Sequence, residues 1–307
     1  PRAALASSPL KEIAVRHTVG LADPIYRGDI ADGELLDDGL PQALEEYIAR
    51  QQITFFKVKV NGDLPADQER LRAIAALLDA HAGDYSVTLD GNEQYGDMDD
   101  FLALLDYVEE ELPAFWSRIL YIEQPLERSV ALDPALKAGI GVAAARKPML
   151  VDESDGDLDT FARAIELGYC GVSSKACKGL VKALANAALA SARDPSRYFL
   201  TGEDLMNLPI VPLHQDLAHL AALGIGHAER NGHHYVRGLS HLSERERGDC
   251  LRAHADMYAE DSGLAALAIT DGRIAVGSLQ CPGLGLGAEV DSEAMLPLDE
   301  WSFTSLA

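Results

Sequence analysis

Short runs rich in β-branched and aromatic residues alternate along this chain with longer stretches whose apolar positions recur at helical spacing. After an irregular opening, the pattern predicts a strand over 13–19, a helix over 41–52 and a second strand over 53–60. It continues with helix 65–82, strand 85–90, helix 97–112, strand 119–123, helix 133–146 and strand 148–152. Helix 157–167 is ended by Gly168, and strand 170–175, an Ala-rich helix 179–193 and strand 197–201 follow. Helix 209–223, a short strand 226–229 and a last helix 243–260 complete the series. Alternation of this kind implies a parallel sheet. About eight such units close naturally into a barrel, with an open doubly wound sheet as the competitor. No GxGxxG follows the first strand, which weakens a dinucleotide-binding reading. Beyond residue 264 the character changes: 268–276 reads as a hairpin turning at Asp271-Gly272, followed by a Gly-rich extended segment over 282–287 that looks to lie outside the barrel.

Polar residues interrupt this pattern at matching places. Asp90, Glu123 and Asp152 each end an apolar run, at the spacing of one strand-plus-helix unit. Lysines close similar runs at Phe55-Phe56-Lys57-Val58-Lys59 and Gly171-Val172-Ser173-Ser174-Lys175. Alternate residues of a barrel strand point inward. With Phe56, Val58 and Val60 on the helix side, Lys57 and Lys59 share the interior, where ammonium groups are costly without partners. The three acids suit that role, since Leu89, Ile122 and Val151 take the outward positions. Asn92, two residues beyond Asp90, is placed to face the same site, and parity makes Glu153 the weaker candidate. Any one of these residues alone is an ordinary rim charge; their recurrence at matching strand ends favours one shared site. The lysine pair falls on the second strand and Lys175 on the sixth, opposite walls of an eight-stranded ring, with the acids along the arc between. Such a site can remove a proton from one face of a carbon and deliver one to the other.

Composition narrows the classes. A net charge of −23 argues against nucleic acid and against an anionic membrane surface, both of which are bound through clustered Lys and Arg. It does not exclude a small anionic substrate at a locally cationic site. The cysteines, Cys170, Cys177, Cys250 and Cys281, form no CxxC pair and fit a reducing, cytoplasmic compartment. No uninterrupted apolar stretch is long enough to span a bilayer.

The ordered set Lys57-Val58-Lys59, Asp90-Gly91-Asn92, Ile122-Glu123-Gln124-Pro125, Asp152-Glu153-Ser154 and Lys175-Ala176-Cys177-Lys178-Gly179 resembles the enolase superfamily. The likeness is to the muconate-lactonizing-enzyme-like side of its mandelate racemase group and runs over residues 18–287. The resemblance implies a TIM-type (β/α)7β-barrel, one Mg²⁺ held by Asp90, Glu123 and Asp152, and abstraction of a proton α to a carboxylate. Lys59 and Lys175 would be the acid/base pair. Lys57 would orient substrate or assist Lys59, or be a structural ion pair. Lys178 would stand behind the metal ligands or open the following helix. Glu229, if protonated, would hydrogen-bond an enediolate, or it would pair with Arg230, and His233 and His234 would shape the rim or simply be exposed. Two departures concern the subgroup. The seventh strand ends in Thr201-Gly202-Glu203-Asp204 without the histidine of mandelate racemase. Residues 227–235 lack the Asp-x-Asp of dipeptide epimerases.

Members of this superfamily carry an α+β capping domain over the barrel mouth. Here residues 1–12 read as a linker from such a cap, 13–263 as the catalytic barrel and 264–307 as a cap-associated segment, with the N-terminal cap largely absent. Three explanations stand: a fragment of a longer polypeptide, a cap on another chain, or a variant that lost it. Apolar surface left bare is expected to be covered by self-association into a homo-oligomer. The expected activity is that of a racemase, epimerase or cycloisomerase acting on a small carboxylate. The alternatives are an acid-sugar dehydratase, a lyase of the same superfamily, and a non-catalytic barrel serving binding or assembly.

Overall fold

A computed structural model of the chain describes residues 5–36, 38–203, 206–261, 263–293 and 295–302; Asp204 and both extreme termini lie outside the described residues. Strand β1 (Glu12–Val19) is followed by helix α1 (Leu44–Gln51), β2 (Phe55–Lys59), α2 (Leu64–His81), β3 (Ser86–Asp90) and α3 (Met98–Glu111). Next come α4 (Pro113–Arg118), β4 (Ile119–Glu123), α5 (Lys137–Arg146), β5 (Met149–Val151), α6 (Thr160–Leu167) and β6 (Gly171–Ser174). The series ends with α7 (Leu180–Arg193), β7 (Phe199–Gly202), α8 (Val211–Leu223), β8 (His227–Arg230), a single turn α9 (Gly232–Tyr235) and α10 (Glu244–Ala253). Each strand pairs in parallel with the next, and β8 pairs back onto β1, so the sheet closes as a barrel.

Local chemistry sets the element ends. Asp63 caps α2 by accepting from Ala66 N, Asp97 caps α3, and Ser243 with Glu246 forms a capping box at α10. Gly168 and Gly224 close α6 and α8 in the left-handed conformation. The core lies between barrel and helices: Phe56, Val58, Val87, Leu89 and Val172 are sealed beneath Leu78, Phe101, Leu104 and Phe161. Each such burial contributes about 1.5–3 kcal/mol.

The last helix is shorter than the pattern over 243–260 predicts. It stops at Ala253, and β9 (Tyr258–Asp261) turns back antiparallel to β10 (Leu264–Leu267). Met257 and Tyr258 are buried, and the Tyr258 hydroxyl is 2.7 Å from His214 Nε2, so tertiary packing overrides helical composition there. The Asp271-Gly272 turn joins β11 (Ile269–Thr270) to β12 (Arg273–Ala275), with φ positive at both turn residues. Strand β12 pairs antiparallel with residues 12–14 of β1, which attaches this hairpin to the barrel at the end away from the catalytic candidates. Among the described residues, no helix is long and apolar enough to cross a membrane.

Candidate active site

Register brings the strand ends to one level. Lys59 is the neighbour of Asp90, and Asp90 of Glu123. Because adjacent residues of parallel strands share a face, all three side chains enter the barrel together. The turn after β3 is held by a close approach. A Cβ on Gly91 would stand 2.4 Å from Pro125 Cα, so only glycine lets the loops after β3 and β4 cross. Asn92 follows at φ 42°, and its backbone N–H donates to Asp90 Oδ1 at 2.8 Å.

The acids are buried, Asp90 and Glu123 at 0% exposure and Asp152 at 2%. Each is met by an ammonium group. Lys59 Nζ donates to Asp90 Oδ2 and to Asn92 Oδ1. Lys175 Nζ donates to Asp152 Oδ2 at 2.6 Å. Lys178 Nζ lies 2.9 Å from Asp152 Oδ1 and donates to the Asp152 carbonyl and to Ser173 Oγ at 2.8 and 2.6 Å. Asn92 Nδ2 donates to Glu153 Oε1 at 2.7 Å, which brings Glu153 to the site's edge although parity ranked it low. Among the sequence-derived candidates, therefore, Lys59, Asn92 and Glu153 form one chain, and Lys175, Lys178 and Asp152 another.

Lys57 is the centre of the interior. At 1% exposure, its Nζ lies 3.0 Å from Asp90, 2.8 Å from Glu123 Oε2, 2.6 Å from Glu203 and 3.0 Å from Glu229. Burial alone would lower its pKa, but these carboxylates hold it well above the ordinary lysine value. Glu203 also meets the Arg16 guanidinium at 2.5 Å, and Arg16 donates to Gly202 O and Thr201 Oγ1. Glu229 accepts from Thr18 Oγ1 at 2.8 Å. Arg230 donates to Asp216 at 2.6 Å.

These neighbours separate the titrations. Burial would raise Asp152, yet Lys178, Lys175 and Lys57 hold it far below the usual carboxylate range. Burial would lower Lys175, yet Asp152 leads the acids that raise it, so it stands as an ammonium ion. Burial, with Asp90 and Glu203 nearby, pushes Glu123 well up.

Arg16 and the inward role of Glu203 escaped the sequence reading. The signal was present: Arg16 has the inward parity of Ala14 and Thr18, opposite Val15 and Val19, and a guanidinium there demands a buried carboxylate. His233 and His234 pack on His17 and Tyr47, outside the barrel wall, and not into the carboxylate cluster.

A hard dication is tested by the donors present. Asp90, Glu123 and Asp152 offer only oxygen, from three successive strand ends, as Mg²⁺ requires. Glu123 Oε2 accepts no hydrogen bond, its ion-pair distance to Lys57 notwithstanding. Among the described residues no three acidic, His or Cys side chains stand together as a finished ligand set. The donor chemistry fits the ion.

A family model described as Enolase C-terminal domain-like matches residues 39–294. No protein of curated function matches by sequence. Among solved structures, a mandelate racemase/muconate lactonizing protein from Herpetosiphon aurantiacus is 20% identical with TM-score 0.56, over 92% of this chain and 65% of that one. Muconate lactonizing enzyme from Klebsiella pneumoniae is 19% identical with TM-score 0.57, over 92% and 64%. The 3,6-anhydro-D-galactonate cycloisomerase from Zobellia galactanivorans is 18% identical with TM-score 0.55, over 94% and 65%. At these identities the likeness is one of fold, and the chain spans 64–65% of the length of those three structures.

Proposed function

Because this chain belongs to the enolase superfamily, in its mandelate racemase and muconate lactonizing group, we propose that its barrel abstracts a proton α to the carboxylate of a small substrate. The product class is that of a racemase, epimerase or cycloisomerase. One observation carries the reading: Lys59 and Lys175, on strand ends four apart in an eight-stranded ring, each contact a carboxylate of the acidic arc between them.

Asp90, Glu123 and Asp152 would hold Mg²⁺, which when bound offsets the negative charge that develops on an enediolate. The chain's own residues do the rest. Lys59 and Lys175 take and return a proton on opposite faces of the α-carbon. Lys175 donates to Asp152 Oδ2 at 2.6 Å, which sets its amine beside the ligand arc. Asn92 orients the Lys59 amine, and Lys178 with Ser173 fixes Asp152.

The test is α-proton exchange. With Mg²⁺ in deuterated water, N-acyl amino acids, dipeptides and acid sugars are screened by NMR for deuterium uptake. Lys59→Ala and Lys175→Ala are each expected to slow uptake about 10²-fold or more. Uptake unchanged in both variants would refute the proposal, and conversion of an acid sugar to a 2-keto acid would reassign it as a dehydratase.

A further inference from the structure

Lys57 holds two pairs of carboxylates at once. On one side are Asp90 and Glu123, on the other Glu203 and Glu229, all within 3.0 Å of one nitrogen. The first pair belongs to the proposed Mg²⁺ ligands. The second pair does not, and is anchored independently: Glu203 by Arg16 at 2.5 Å, and Glu229 by Thr18 at 2.8 Å. A dication that takes the oxygens of Asp90 and Glu123 must compete with this ammonium group for them. Lys57 is only 1% exposed inside the packed barrel, and an ammonium group cut off from water is heavily penalised unless carboxylates surround it, so its charge has to be met inside.

We propose that Glu203, braced by Arg16, is a positioning residue that receives Lys57 when metal binds. It is the shortest of the four contacts at 2.6 Å, and its second oxygen is committed to Arg16, so it stays in place whichever way Lys57 leans. The ammonium group gives up Asp90 and Glu123 while keeping Glu203 and Glu229. Glu203 therefore sets metal affinity without touching the metal. This rests on the Mg²⁺ reading given above.

The experiment is a double-mutant cycle on Mg²⁺ binding, measured by titration calorimetry on the full chain, with thermal unfolding recorded for each variant. Glu203→Gln is expected to weaken Mg²⁺ at least about threefold, the lower end for residues within one charged network. Lys57→Met is expected to bind Mg²⁺ more tightly than the parent. In the Lys57→Met background, Glu203→Gln should change affinity less than about twofold, because no ammonium group remains to be received. The same factor in both backgrounds would mean a long-range charge effect and would overturn the inference. Should Lys57→Met not fold, Glu203→Asp decides: it keeps the charge but loses reach, and affinity equal to the parent's would overturn the inference as well. A parent chain that binds no Mg²⁺ would instead bring down the metal reading itself, and this inference with it.

Discussion

Single side chains in this barrel are governed by the cost of burying charge. An ion pair taken out of water is marginal, but removing one partner leaves the other stranded at about 3–5 kcal/mol. Asp152 is the clearest case, since it answers both Lys175 and Lys178. Asp152→Asn is expected to lower unfolding stability by about 3–5 kcal/mol in urea titrations, with Lys178→Met in the same chain restoring part of the loss. The pH dependence has a definite sign. The folded pKa of Asp152 lies below its unfolded value, so its contribution is complete above about pH 4 and is lost as pH falls from there. The parent should therefore lose stability more steeply than Asp152→Asn below about pH 4, as denaturation at a series of pH values would show. At this scale the sequence singled out Lys59, Asp90, Glu123, Asp152 and Lys175 at strand ends, but not the inward role of Glu203 just after β7. Arg16 stayed hidden because its meaning depends on Glu203, which lies on the far side of the chain and beside it only in the closed ring.

Elements contribute register and close approach. Strand parity in the sequence put Lys57 and Lys59 inside, but the level shared by Lys59, Asp90 and Glu123 comes from pairing, which no single run of residues encodes. Gly91 shows how tightly that level is held. Gly91→Ala would drive a methyl group into the Pro125 backbone and displace the Asp90 turn. The expected result is a stability loss of about 1–3 kcal/mol, seen by thermal unfolding, together with weaker Mg²⁺ binding by calorimetry. Unchanged affinity in a folded Gly91→Ala variant would show that the two loops do not set the ligand positions. The over-long prediction for the last helix has a similar cause. Residues 254–260 have helical composition, yet β9 gains a partner strand, and its Tyr258 a buried histidine.

Across the whole molecule, one aromatic cluster ties the ring's closing seam. His17 on β1 lies 3.0 Å from His233 of α9, and its ring packs tilted against Tyr47 of α1 with centroids 4.4 Å apart. His234 packs on the same ring, and Tyr235 donates to Asp23 at 3.2 Å. Burial holds His17 and His233 well below the ordinary histidine value and brings His234 down to about 4. Histidines kept neutral in the fold but free to charge when unfolded oppose folding increasingly as pH drops from about 6.5 towards that value. Each can contribute a slope of up to about 1.4 kcal/mol per pH unit. Stability is expected to fall between pH 7 and 5, and His17→Phe should flatten that decline; an equal slope in the variant would place the titrating groups elsewhere.

The strand–helix order, the inward lysines and the row of acids at strand ends followed from the sequence alone, because hydrophobic periodicity and side-chain parity are local properties. Tertiary structure alone decided which charge answers which. Lys57 meets carboxylates from β3, β4 and the ends of β7 and β8, and Arg16 meets Glu203, only because the ring closes through β1 and β8. Electrostatic partners are chosen by distance in space, and the barrel's closure makes neighbours of residues that the chain itself keeps far apart.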